Sequence, residues 1–165
     1  MKTPETHRFA DDGGIPNSRL PLLVYRGALP ADAAAMERAF AAHGWSGGWR
    51  DGIFPFHHFH SNAHEVLGIA RGEAQVMFGG PENGRILAVS AGDVVVIPAG
   101  VGHCNKSDSG DLLVVGAYPG GAGYDLRRGD PAEHAEVIES IAQVRLPEQD
   151  PVGGRDGPLR RLWSG

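Results

Sequence analysis

Between Ile53 and Tyr118 the apolar residues fall in short runs: Ile53–His60, His64–Arg71, Glu73–Phe78, Arg85–Ser90, Val94–Ile97, His103–Lys106 and Leu112–Tyr118. These runs are rich in Val, Ile and Phe, whose branched or aromatic side chains pack well on a pleated surface. Turn formers separate them: Gly72, the stretch Gly79-Gly80-Pro81-Glu82-Asn83-Gly84, Ala91-Gly92-Asp93, Pro98–Gly102 and Asp108-Ser109-Gly110. Strand-like runs at about 8–12-residue spacing, with no helix between them, predict an antiparallel sandwich or barrel. The connections are too short for the crossover helices of a parallel sheet. The predicted class is therefore all-β.

Helical patterns flank this region. Leu20–Arg26 reads as one further strand. Ala33–His43 reads as a helix, with Asp32 as its cap, Met36, Ala39 and Phe40 on one face, and Gly44 at the left-handed stop. A second helix starts after Asp130, with Pro131 in its first position and Glu133 where a capping box places it, and runs to about Ile141. Val144–Pro147 is a candidate edge strand. Residues 1–19 are polar and rich in Gly, Pro and Asp, which predicts a loosely held arm. The tail through Trp163 packs either on the barrel or on a partner. The chain thus divides into an arm, strand and helix (1–49), a barrel (50–120), and a helix with a tail (121–165).

Length and composition narrow the function. A chain of 165 residues is one domain with a full core. Its 25 Gly and 12 Pro suit many tight turns. A net charge of −5 implies no basic face, so nucleic acid and anionic membranes are poor partners. No apolar run reaches membrane-spanning length. The single Cys104 rules out an internal disulfide framework. The start of the chain lacks the apolar core of a secretory signal, and the expected location is cytoplasmic.

Of eight His, five lie between positions 57 and 103. In a strand, residues i and i+2 face the same way, so His58 and His60 aim at one side and His57 and Phe59 at the other. Glu65 opens the next run, where hairpin pairing would bring its carboxylate beside them, with Leu67 and Ile69 on the same face. His103 follows a turn and would come from the far side of the barrel. Three neutral imidazoles and a carboxylate make a mixed N/O site for one divalent transition metal: Fe, Mn, Ni, Zn, Co or Cu. On an octahedral ion such a set leaves two positions for a ligand. A closed structural zinc site fits less well, because those usually use several Cys.

The spacing Gly52-x5-His58-x-His60-x4-Glu65-x6-Gly72, followed by Gly92-x5-Pro98-x-Gly100-x2-His103, resembles the two motifs of the cupin superfamily. The resemblance spans roughly residues 50–118. The flanking stretches His64–Gly68, Pro98–His103, Val115–Pro119 and Asp150-Pro151 are similar to those of single-domain, YjlB-like cupins. The resemblance implies a double-stranded β-helix, or jelly-roll barrel, with a metal held by His58, His60, Glu65 and His103. It also implies a homodimer paired through outer sheets. It implies no single reaction, since the fold serves dioxygenases, decarboxylases, isomerases, epimerases and binders. One position departs from the pattern: Ser107 stands where the second motif has Asn, and Asn105 shares the face of His103.

Other residues have weaker claims. His64 is the one speculative acid or base, although alternation turns it away from Glu65. Cys104 reads as a buried, unreactive thiol. Phe54 and Phe56 read as core before substrate platform, and Arg71 as a surface residue before an anion binder. Tyr118 and Tyr124 lie near the barrel mouth, with packing as their default role. The leading expectation is a small metal-binding cupin that acts as an enzyme on a small polar metabolite, of dioxygenase or isomerase/lyase type. The alternative is a non-catalytic sensor or storage cupin that binds a metal and a metabolite.

Overall fold

The computed structural model describes residues 2–164. In chain order its elements are β1 (Glu5–His7), β2 (Leu22–Tyr25), α1 (Ala33–Ala42), β3 (Trp45–Asp51), β4 (Glu65–Arg71), β5 (Glu73–Phe78), α2 (Gly80–Asn83), β6 (Arg85–Ser90), β7 (Val94–Ile97), β8 (His103–Asp108), β9 (Leu113–Pro119), α3 (His134–Ala142) and α4 (Leu159–Leu162). The strands form two antiparallel sheets. One has six strands in the order β1-β2-β7-β4-β9-β3, and the other has three in the order β6-β5-β8. The fold is an antiparallel β barrel, as the run spacing predicts, and of the jelly-roll kind that the resemblance implies.

Alternation explains which faces are wet. In β7, Val95 and Ile97 point between the sheets, while Val94 and Val96 point to the opposite face. That opposite face is covered by Met36 and Phe40 of α1 and by Leu159 and Trp163 of the tail. The inner strands of the large sheet are thus buried on both sides, and β2, β4 and β7 read as near-continuous apolar runs. The small sheet has one wet face, so β5 alternates exposed and buried positions along most of its length. Gly68 makes the helix packing possible, because a Cβ there would press on Met36 and Phe40.

Four expectations change. Ile53–His60 is not a regular strand; it touches the small sheet through an isolated bridge between His58 and His103. Pro55 lacks a ladder donor, which explains the interruption. The strand stands earlier, at β3, where it carries a register shift between Ser46 and Trp49. The glycine pair Gly47-Gly48 at that shift hides the strand's alternation. Val144–Pro147 forms no strand. The N-terminal arm is firmly held: Asn17 is buried, and its amide donates to Ala10 O and Gly79 O at 2.9 and 3.0 Å.

The tail packs on its own barrel. The Trp163 indole is buried and donates to Pro21 O at 2.9 Å. Asp150, fully buried, accepts from Tyr25 Oη at 2.5 Å and from the amides of Val152, Gly153 and Leu159. No helix among the described residues is long and apolar enough to cross a membrane.

Candidate metal centre

His60, Glu65 and His103 converge between the two sheets, each offering one ligand atom, with these atoms all within 4.8 Å of one another. All three side chains are buried. The assembly differs from hairpin pairing. β4 lies in the large sheet, where Glu65 pairs with Ile97, and it faces the His pair from across the barrel. His103 sits beside His58 on the small-sheet side, with backbone hydrogen bonds of 2.9 and 3.2 Å between the two residues.

Each imidazole has one nitrogen against a backbone carbonyl: His58 Nδ1 on Phe56 O at 2.9 Å, His103 Nδ1 on Val101 O at 3.3 Å, and His60 Nδ1 on Asp125 O. A carbonyl only accepts, so in the neutral rings the proton sits on Nδ1 and Nε2 carries a bare lone pair. The Nε2 atoms of His60 and His103 then lie 3.4 and 3.3 Å from Glu65 Oε1. That oxygen is buried and accepts no hydrogen bond. In the neutral rings two lone pairs face an anionic oxygen and repel; a proton on His60, or a cation held among the three groups, removes the repulsion, so the donor set fits a divalent metal.

His58 lines the same cavity, its ring centroid 4.0 Å from that of His103, but it lies outside the 4.8 Å group. Burial pushes its imidazole down to about 3, and the neighbouring His103 adds to the effect. Burial works against protonating His60 as well, but Glu65 outweighs it and raises that ring above its ordinary value. Glu65 shows the same attraction from the other side. Burial alone would raise it, yet His103 and His60 hold the carboxyl well below the usual range.

Residues 50–118 match the cupin family profile. Protein YjlB of Bacillus subtilis (strain 168), itself uncharacterised, is 49% identical over 160 residues, covering 96% of each chain. The chain belongs to the cupin superfamily. Among solved structures, this cupin is similar to Lactobacillus farciminis oxalate decarboxylase in a formate complex (18% identity, 87% of this chain and 42% of that one, TM-score 0.39). A variant of Bacillus subtilis oxalate decarboxylase is also similar (17%, 78% and 28%, TM-score 0.36). So is Bacillus anthracis acireductone dioxygenase with a cadmium ion in its active centre (14%, 62% and 50%, TM-score 0.33). The cupin spans half or less of each of those three chains, and likeness at this level says nothing about its activity.

The cavity above the cupin's ligand group holds about 300 Å³. Trp49, Ile53, Phe54, Leu67, Tyr118 and Tyr124 supply most of its apolar wall. Tyr118 and Trp49 matter more than sequence reasoning implied. The Tyr118 hydroxyl donates to Glu65 Oε2 at 2.6 Å, and Trp49 Nε1 donates to the same hydroxyl at 2.8 Å. Burial, with the Glu65 charge, keeps the phenol protonated far above its ordinary range. Trp49 can lie flat against β9 only because residue 116 is glycine; a Cβ there would overlap the indole. That glycine is the one sequence signal that could have pointed to Trp49.

His64 does not reach this centre. It lies on the opposite face of β4, its ring 4.8 Å from Trp163, with Nδ1 accepting from the Ala99 amide at 2.9 Å. Burial lowers it to about 4. The structure thus places His64, the speculative acid or base, away from the His60, Glu65 and His103 group. His57 faces an outer cleft with Cys104, Lys106 and Arg128. Cys104 is buried, and burial raises its thiol. Arg71 bonds Asp111 O at the strand end. Phe54 is half exposed at the cavity rim and stacks on Phe56 at 4.9 Å, and Arg128 lies over the Phe56 ring. Ser107 and Asn105 straddle a register shift in β8, so motif spacing past His103 does not carry over to facing.

Proposed function

We propose that this cupin is a metal-dependent enzyme acting on a small molecule with one oxygen-bearing polar end, of isomerase/lyase or dioxygenase type. The observation that carries the reading is the bare Glu65 Oε1 facing two imidazole Nε2 atoms at the floor of a cavity. His60, Glu65 and His103 would hold the ion, with His58 as the fourth ligand. A bound divalent metal supplies Lewis acidity, or oxygen activation if it is iron. Tyr118 fixes the Glu65 carboxylate, Leu67 and Ile53 keep water from the floor, and Phe54 and Tyr124 flank the entrance.

Size and charge bound the substrate. About 300 Å³ is at the small end of ligand pockets. The lining residues include Asp51 but no Lys or Arg, so the ion would be the main attraction for a negative group. This favours a neutral or singly charged chelating end with an apolar or planar body over a compact dianion.

A non-catalytic binder is the second reading. It is favoured by one fact: among the described residues, no titratable side chain lines the cavity beyond the His and Glu set, Asp51 and the two Tyr. Elemental analysis of protein purified without added metal comes first, followed by oxygen uptake and turnover against a metabolite panel. One-to-one metal with turnover supports the enzyme. Saturable binding without turnover supports the binder. Failure to bind any divalent ion overturns both.

A further inference from the structure

We infer that residues 124–127 form a strap that sets the His60 ring for metal binding, with Arg127 as the positioning residue that keeps the strap docked. The inference rests on the metal-centre reading above.

The three imidazoles are not oriented in the same way. His58 and His103 bond carbonyls two residues away in their own segments, Phe56 O and Val101 O. His60 bonds Asp125 O, 65 positions further along the chain. Two rings are thus oriented locally, as soon as their own backbone folds. The third is oriented only when a distant segment docks.

That segment is fastened at several points. Phe59 and Arg127 exchange backbone hydrogen bonds, both at 3.0 Å. The Asp125 carboxylate accepts from the Ser61 amide at 2.7 Å and from the Ser61 hydroxyl, and Asn62 Oδ1 accepts from the Asp125 amide at 3.0 Å. Arg127 ties the strap to itself and to the start of α3, reaching Asp125 at 2.9 Å, Glu133, just before the helix, at 3.1 Å and Glu136 at 3.2 Å. Tyr124, the first residue of the strap, stacks on Tyr118 with centroids 4.3 Å apart and meets the His60 ring edge at 5.0 Å. On its N-terminal side the strap follows Gly120-Gly121-Ala122-Gly123, an exposed glycine-rich turn whose amides bond Gly44 O, Tyr118 O and Pro119 O.

Docking and metal binding therefore favour each other. An undocked strap leaves the His60 ring free to turn its lone pair away, and a bound ion holds the ring where Asp125 O meets it. Coupling of this kind is reciprocal.

The test uses cobalt(II), whose visible absorption reports its own coordination, on the full chain. Arg127→Ala should weaken cobalt binding by about tenfold or more, the usual size for loss of a group that orients a ligand, and Arg127→Lys should recover part of it. In the unmodified protein, cobalt should slow hydrogen exchange at the amides of Phe59, Ser61, Asp125 and Arg127. Phe59 and Ser61 flank the ligand His60, so the amides of Asp125 and Arg127, on the strap itself, carry the test. Unchanged exchange with and without cobalt overturns the inference, as does Arg127→Ala binding within about twofold of the unmodified chain. If Arg127→Ala does not fold, the exchange comparison decides by itself. If the unmodified chain binds no cobalt, the metal-centre reading falls and takes this inference with it. Cobalt binding without coupling removes this inference alone.

Discussion

Tyr118 Oη lies 2.6 Å from Glu65 Oε2, which commits one carboxylate oxygen to the protein and leaves Oε1 to face His60 and His103. The two residues come from adjacent, paired strands, with Val66 opposite Ala117 in the register. The phenol thus decides how the acid is presented. Tyr118→Phe should lower metal affinity by about tenfold, because the freed carboxylate can rotate and a buried oxygen loses its donor. A chelator-competition titration measures this, and an unchanged affinity would show that Glu65 needs no such support.

The ligand assignments predict an order. His58→Ala combined with His60→Ala should abolish one-to-one metal. Singly, His60→Ala and His103→Ala should each weaken binding more than His58→Ala, since His58 lies outside the mutual 4.8 Å group. Elemental analysis after gel filtration reads the stoichiometry, and retained one-to-one metal in the double variant would refute the assignment.

Glu65→Gln and His64→Ala separate the two faces of β4. Glu65→Gln should cost metal affinity strongly. His64→Ala should leave affinity nearly unchanged and lower stability by about 1–3 kcal/mol, through the cavity opened beside Trp163. Urea unfolding run alongside metal titration tests both; a larger affinity loss in His64→Ala would move the ligand role from Glu65 to His64.

Gly116→Ala should displace the Trp49 indole, because the added methyl would occupy its place. The expected destabilisation is about 1–3 kcal/mol, as for other overpacked sites. Trp49 would also lose its hydrogen bond to Tyr118, so the fluorescence of the native state should change. Wild-type stability and emission would mean that β9 yields without strain.

Asp150→Ala should loosen the tail. It removes the acceptor shared by Tyr25 and three backbone amides, and leaving such donors unpaired costs about 1–3 kcal/mol or more. Limited proteolysis should then cut after residue 150 first. Equal resistance in variant and parent would show that apolar packing of Leu159 and Trp163 suffices.

The barrel, the flanking helices α1 and α3, and the identity of the metal-ligand candidates were legible in the chain because they rest on local patterns. Valines at alternating faces of β7, the cap at Asp32 and the motif spacing around His58, His60 and Glu65 need no knowledge of distant partners. Two local features hid the rest: Pro55 interrupts the run that carries His58 and His60, and Gly47-Gly48 conceals the strand before it.

What the sequence by itself determined is therefore the class of fold and the chemical kind of site: oxygen and nitrogen donors held in an antiparallel β shell. The tertiary structure alone decided how those donors are aimed. Asp125 O reaches His60 and Tyr118 reaches Glu65 across separations of 65 and 53 positions, and His64, next to Glu65, is turned to the opposite face. The physical reason is one of range. Periodicity and turn chemistry act over a few residues, whereas the direction of a lone pair depends on whichever group folding brings within hydrogen-bonding distance.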